Sequence, residues 1–152
     1  MNVTPFFFYG TLIAGSNRGP ASIVHERLRA LGSATSPGRL AGIPDPRGWY
    51  PAMLPSSERL GASLVHGVVY QALANFTVKD LARLDAYEGY DPDSEKSSLY
   101  RRNLVTVRLD GGGRMQAQTY IYNRRLPKGA LPIDSGNFAS WLADGKLNAL
   151  GD

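Results

Sequence analysis

Apolar residues along this chain change their spacing several times, and each change predicts an element. Thr4 to Tyr9 is short, aromatic and closed by Gly10, the pattern of a buried strand ending in a turn. Pro20 suits the first position of a helix, where its missing N–H is no loss, and predicts one from about Ala21 to Leu31. Val24, Leu28 and Leu31 supply its apolar stripe, and Gly32 is a fitting terminator. Pro44, Pro46, Pro51 and Pro55 divide Arg39 to Ser56 into short, irregular strands, while Leu64 to Leu73 reads as a clearer strand rich in Val and Tyr.

A second helix carries the strongest signals. Thr77 followed three residues later by Asp80 resembles a capping box, with Asp in the place usually taken by Glu. Leu81, Leu84 and Glu88 then fall at i, i+3 and i+7, and Gly89 is the stop. This spacing puts a carboxylate on the apolar stripe, with Asp85 beside it. Acids turned toward a core are costly unless they are paired or used. Asp85 is read as structural, bonded to nearby backbone or to an arginine.

The second half of the chain alternates. Val105, Val107 and Leu109 fall on one side of a strand from Tyr100 to Leu109, with Leu104, Thr106 and Arg108 on the other. Asp110 to Gly113 supplies a turn and Met115 to Tyr122 returns. Ser135 is placed to cap a last short helix through Phe138, Trp141 and Leu142, closed by Gly145. Strand, helix, several strands, helix, hairpin and helix give an α+β fold with a mostly antiparallel sheet able to curl into a barrel. At 152 residues the whole chain, 1–152, is expected to be one domain.

Composition narrows the function classes. Cysteine is absent, which removes a disulfide framework, a thiolate metal site and a cysteine nucleophile together. His25 and His66 are the only histidines and are not at ligand spacing. Asp91, Asp93 and Glu95 begin like a calcium loop, but Lys96 and Arg102 stand where that loop needs Gly and Glu. No nucleophile elbow, phosphate loop or dinucleotide fingerprint is present. The apolar stretch Phe6 to Ala14 is interrupted by Gly10 and Thr11 and lies far below the ~20 residues of a membrane span. The default expectation is a soluble, cytoplasmic protein with no membrane partner. Net charge is +4, and Tyr100 to Lys128 holds seven basic residues against one acid, Asp110. The ordinary reading is the solvated face of a hairpin. A surface for single-stranded nucleic acid, using Arg101, Arg102, Arg108, Arg124 and Arg125 with Tyr120 and Tyr122, is a weaker one and lacks any aromatic-Gly motif.

Two features remain. Tyr9 to Leu12 ends a buried strand in a glycine turn able to offer backbone N–H groups to an anion. Leu84 to Tyr90 carries the inward acid, whose pKa an apolar wall would raise into the range useful for proton transfer. Together they suit a reaction on an amino acid: the turn holds a carboxylate and the acid works on an amine. A core role for Tyr9, and a surface position for Glu88 at the helix end, are the plain alternatives.

The chain resembles the gamma-glutamylcyclotransferase-like superfamily in its AIG2-like branch. The resemblance rests on Phe8-Tyr9-Gly10-Thr11-Leu12 and on Leu84-Asp85 with Glu88-Gly89. Tyr50-Pro51-Ala52, Gly67-Val68-Val69-Tyr70, Tyr100-Arg101-Arg102 and Tyr120-Ile121-Tyr122 follow in the expected order, over about residues 6–125. Gly10-Thr11-Leu12 with Glu88-Gly89-Tyr90 is closer to the gamma-glutamylamine and plant AIG2-like members than to the glutathione-degrading branch. The resemblance implies a small mixed barrel flanked by helices, with turn and acid facing one cavity. It implies that the α-amine of a gamma-glutamyl group attacks its own side-chain amide carbonyl, giving 5-oxoproline and a released amine or amino acid. Carried over by position, Glu88 is the general acid/base, and Tyr9, Gly10, Thr11 and Leu12 line the glutamyl end. Tyr100 matches a pocket-facing tyrosine, although the segment Asp91 to Leu99 lies between it and Glu88. No metal and no cofactor are implied. A non-catalytic module that binds a small carboxylated ligand is the alternative; the leaving amine and the oligomeric state are left open.

Overall fold

The computed structural model describes residues 4–10, 21–55, 63–145 and 147–149. Among them the chain runs β1 (Phe6–Phe8), α1 (Ala21–Arg27), β2 (Leu28–Pro37), β3 (Arg39–Asp45), β4 (Gly48–Leu54), β5 (Leu64–Ala72) and α2 (Val78–Tyr87). It continues through β6 (Tyr100–Leu109), β7 (Arg114–Tyr122), β8 (Leu131–Pro132) and α3 (Phe138–Gly145). Five strands close a barrel in the order β1-β5-β2-β6-β7, and β4-β3-β8 form a separate small sheet. Within the barrel β1 and β7 run parallel and the other pairs antiparallel. The expected α+β barrel flanked by helices is therefore present, and it is mixed because β1 is inserted beside β7.

Two of the predicted elements change. The stripe read as a helix to Leu31 divides: α1 stops at Arg27 and Leu28 opens a ten-residue strand. Pairing with β5 from Leu28↔Ala72 to Pro37↔Leu64 outweighs the helical spacing. Gly32 is thus not a helix stop; with φ of 146° it sits at the register shift in β2. Pro20 lies outside the described residues. The proline-rich segment also folds more regularly than expected, as a β3–β4 hairpin in register from Arg39↔Leu54 to Asp45↔Gly48. Pro51 is accommodated because β4 is an edge strand, where a missing N–H faces no partner.

Two apolar clusters carry the barrel. Phe7, Val65, Val69, Val107 and Ala117 form one with Phe138 of α3, while Phe6, Phe8, Leu28 and Tyr70 form the other with Leu84 of α2. Trp49 and Trp141 pack edge to face at 5.1 Å, a structural contact between hairpin and last helix. The cap of α3 is Asn137, whose Oδ1 accepts from Ser140 N–H at 3.0 Å; Ser135 bonds Asn137 N–H instead.

The second helix forms as its signals require. Thr77 Oγ1 accepts from Asp80 N–H, and Asp80 Oδ2 accepts from Thr77 N–H at 2.8 Å, completing the capping box. Arg27 binds the same carboxylate at 3.2 Å and ties α1 to α2. At the other end Tyr90 N–H bonds the Asp85 carbonyl and Gly89 N–H the Ala86 carbonyl, a Schellman arrangement. It needs a left-handed residue, and Gly89 supplies φ of 71°. Gly89→Ala is accordingly expected to lower unfolding free energy by about 1–2 kcal/mol, read from the urea midpoint. Gly111, with no atom near an added Cβ, is the control: Gly111→Ala leaves the midpoint close to wild type.

Candidate active site

The end of α2 decides where Glu88 stands. Leu84 is fully buried, Asp85 is buried beside it, and Glu88 follows as the C-cap residue, one turn further on. The carboxyl lies against a cavity of about 720 Å³, a volume suited to a small molecule. Its walls come from β1 and the turn after it (Phe7 to Gly10), the β3–β4 hairpin (Asp45, Arg47, Tyr50, Pro51), the end of α2, and β6 and β7 (Tyr100, Thr119, Tyr120). Glu88 as a residue is half-buried, and it lines this cavity.

Protein around the carboxyl removes most of its hydration, and this pushes its pKa up from the ordinary 4.5 to about 7. The negative end of the α2 dipole acts in the same direction. Among the described residues no ion pair neutralises it; Arg102 is taken by Asp85 and Arg47 by Asp45.

Three tyrosines surround the acid, and none gives it a proton. Tyr9 Oη donates to the Tyr120 carbonyl and accepts from Met53 N–H at 3.2 Å. Tyr100 Oη donates to the Pro51 carbonyl at 2.6 Å. Tyr120 Oη donates to Asp85 Oδ1 at 2.7 Å. Burial pushes all three phenols above their ordinary range, and the nearby Glu88 charge adds to the rise. They therefore stay neutral. A carboxyl among phenol oxygens whose protons point elsewhere is a wall of acceptors, suited to an ammonium group.

Tyr9, Gly10, Glu88 and Tyr100, far apart in sequence, line this one cavity. Thr11 and Leu12 lie outside the described residues. The segment before Tyr100 explains how it returns to Glu88: Glu95–Ser97 makes a 3-10 turn, and Leu99 N–H bonds the Gly89 carbonyl at 2.9 Å, closing the loop on itself. Gly10 does not supply a left-handed φ; glycine is required because a Cβ there would run into the Pro51 ring. Tyr9 is also more structural than its motif suggests, since its buried hydroxyl joins β1, β4 and β7.

Asp45 and Arg47 had no signal in the sequence, since they arrive on a hairpin from a different sheet, and Tyr120, named there as a stacking residue and a strand motif, lines the cavity instead. Asp85 meets an arginine, Arg102, as its burial demanded. Tyr120 and Tyr122 are buried and so cannot stack on bases, which removes the aromatic half of the nucleic-acid reading. No described helix is long and apolar enough to cross a membrane.

The mixed five-stranded barrel flanked by helices is an α+β fold shared with a solved gamma-glutamyl cyclotransferase structure. The chain belongs to the gamma-glutamyl cyclotransferase, AIG2-like family, which it matches over residues 6–141. Similar solved structures include a mouse AIG2-like protein (18% identity, TM-score 0.57, 84% of this chain and 82% of that one). Another is a gamma-glutamyl cyclotransferase (16%, 0.57, 98% and 90%). An uncharacterized protein from Pyrococcus horikoshii is also similar (17%, 0.58, 95% and 97%). At these identities the likeness is one of fold. No curated protein matches the chain.

The raised Glu88 pKa has a consequence for stability. The folded protein holds a proton there between about pH 4.5 and 7 that the unfolded chain releases, so this group's contribution to stability falls as pH rises through that window. Glu88→Gln removes the loss. It is expected to match wild type below pH 4.5 and to exceed it above pH 7, by about 1–2 kcal/mol once water in the cavity is allowed for. Urea titrations across pH 4–8 measure it; parallel curves would mean the carboxyl is fully hydrated.

Proposed function

We propose that the protein is a gamma-glutamyl cyclotransferase-type enzyme that releases 5-oxoproline and a free amine or amino acid from a gamma-glutamyl substrate. The observation that carries this reading is the Glu88 carboxyl, in no ion pair among the described residues, lining a cavity with Tyr9 and Gly10 where burial pushes its pKa up to about 7. Such a group accepts and returns a proton at little expense near neutrality.

In this reading the substrate's α-ammonium settles against Glu88 and supplies its counter-charge. Glu88 takes one ammonium proton, and the freed amine attacks the side-chain amide carbonyl. A C–N bond closes the five-membered ring, and Glu88 returns its proton to the leaving nitrogen and takes the second proton that the ring nitrogen sheds. The C–N bond to the leaving amine then breaks, and that second proton passes from Glu88 to the departing amine, which leaves as an ammonium. The attack is intramolecular, so positioning supplies much of the acceleration and no protein nucleophile or cofactor is called for. Tyr9, Gly10, Thr11 and Leu12 hold the glutamyl end, chiefly through backbone amides on its carboxylate, and Tyr100 borders the substrate with its oxygen as an acceptor. Burial of the three phenols supports their role as neutral acceptors rather than acids.

The test is 5-oxoproline release from a panel of gamma-glutamyl amines and amino acids, wild type beside Glu88→Gln. Wild type is expected to turn over at least one member, with kcat/KM rising through about pH 7, and the variant to lose ~100-fold or more. Binding of glutamate or 5-oxoproline by both proteins without turnover would make this a binding module. Equal activity of the two would remove Glu88 from the mechanism.

A further inference from the structure

Asp85, three residues before Glu88 on α2, is 4% exposed and yet fully partnered. Its Oδ1 accepts from Tyr120 Oη at 2.7 Å and from Arg102 Nε at 2.9 Å, and its Oδ2 accepts from Arg102 Nη2 at 3.4 Å. Arg102 is itself held: it donates to Gln118 Oε1, Gln118 donates to the Thr4 carbonyl at 2.9 Å, and the Tyr90 ring lies 5.8 Å from the guanidinium. The pair thus fixes one further group, the phenol of Tyr120, which borders the cavity.

A phenol has one proton to give and lone pairs to accept with. Here the proton is committed to Asp85, so only lone pairs are left for the cavity. We infer that the Asp85–Arg102 pair is a positioning device for the reaction: it holds the Tyr120 proton away from Glu88, so that this phenol meets the substrate as a hydrogen-bond acceptor. A donor on Glu88 would favour its charged form and make it a weaker base. An acceptor beside it favours the substrate's ammonium instead.

Four other groups that line the cavity do not share this dependence. Tyr9, after β1, and Tyr100, on β6, give their protons to backbone carbonyls, which no side-chain substitution can remove. Asp45 and Arg47, at the β3–β4 turn, are paired with each other at 3.3 Å. Among the described residues Tyr120 is the phenol of this group whose proton is set by a side chain.

The test replaces the pair as a unit, Asp85→Leu with Arg102→Met, which leaves net charge unchanged and no charge unpaired. Freed of Asp85, the Tyr120 proton turns to Glu88, directly or across one water. Two readouts follow Glu88: the acid limb of kcat/KM for 5-oxoproline release, and 13C NMR titration of labelled glutamate in the resting protein, assigned by its loss in Glu88→Gln. Both are expected to move about one pH unit lower, and adding Tyr120→Phe is expected to restore the wild-type position. An unmoved titration, or a shift that survives Tyr120→Phe, overturns the inference, because a merely structural pair would lower stability without moving the limb. Should the double variant fail to fold, Tyr120→Phe alone decides. Its Glu88 titration should stay at the wild-type position, and a rise of one unit would show the phenol already donating to Glu88. The kinetic limb rests on the cyclotransferase reading. If no substrate is turned over, that reading fails while the NMR titration still decides this one.

Discussion

The buried contact between Asp85 and Arg102 is what the rest of the site is built around. The Asp85 carboxylate is withdrawn from water and the Arg102 guanidinium partly so, which is tolerable because the geometry is close and nearly every donor and acceptor finds a partner. One member stands on α2 and the other on β6, with Tyr120 of β7 bound to the same carboxylate. The helix is thereby pinned to the barrel near its C-terminal end. Glu88 inherits its position from that anchor and from the glycine-dependent cap that follows.

Two acids three residues apart on one helix have opposite fates. Among the described residues Asp85 has a cation and a phenol, and Glu88 has neither. The difference is one of direction, since Asp85 points at β6 and β7 while Glu88 looks into the cavity. Leaving a carboxyl desolvated and unneutralised opposes folding, and the protein offsets it with two apolar clusters, a closed ladder of strands and a fully formed capping box. Such an arrangement suits the proton exchange with a cationic ligand that we propose for Glu88. The barrel is the rigid part: Tyr9 joins three strands through one hydroxyl, so the turn that follows starts from a fixed place.

Much of this was legible in the residues. Helix α2 could be read end to end, because its capping box, its apolar stripe and its glycine stop are all local chemistry. The β6–β7 hairpin was legible for the same reason. The inward turn of Asp85 and its need for a partner, backbone or arginine, followed from the cost of an unpaired buried charge, and the structure supplies Arg102. The α1–β2 boundary was not legible: Val24, Leu28 and Leu31 keep a helical spacing, but the hydrogen bonds of the partner strand β5 decide the outcome from forty residues away. Nor could the hairpin regularity of a proline-rich segment be foreseen, since it depends on β4 lying at a sheet edge.

The sequence by itself determined the local pieces: an acid placed on an apolar stripe, a glycine turn after an aromatic strand, no thiol, and an ordered set of short motifs. Tertiary structure alone decided what those pieces meet. It brought Asp45 and Arg47 to the mouth of the cavity from a second sheet, placed Pro51 where Gly10 must have no side chain, and turned three tyrosine protons away from Glu88. The reason is physical. Caps and periodicity act over one or two helical turns, whereas desolvation and hydrogen-bond direction at Glu88 are set by atoms from five separate parts of the chain, which only the closed barrel brings together.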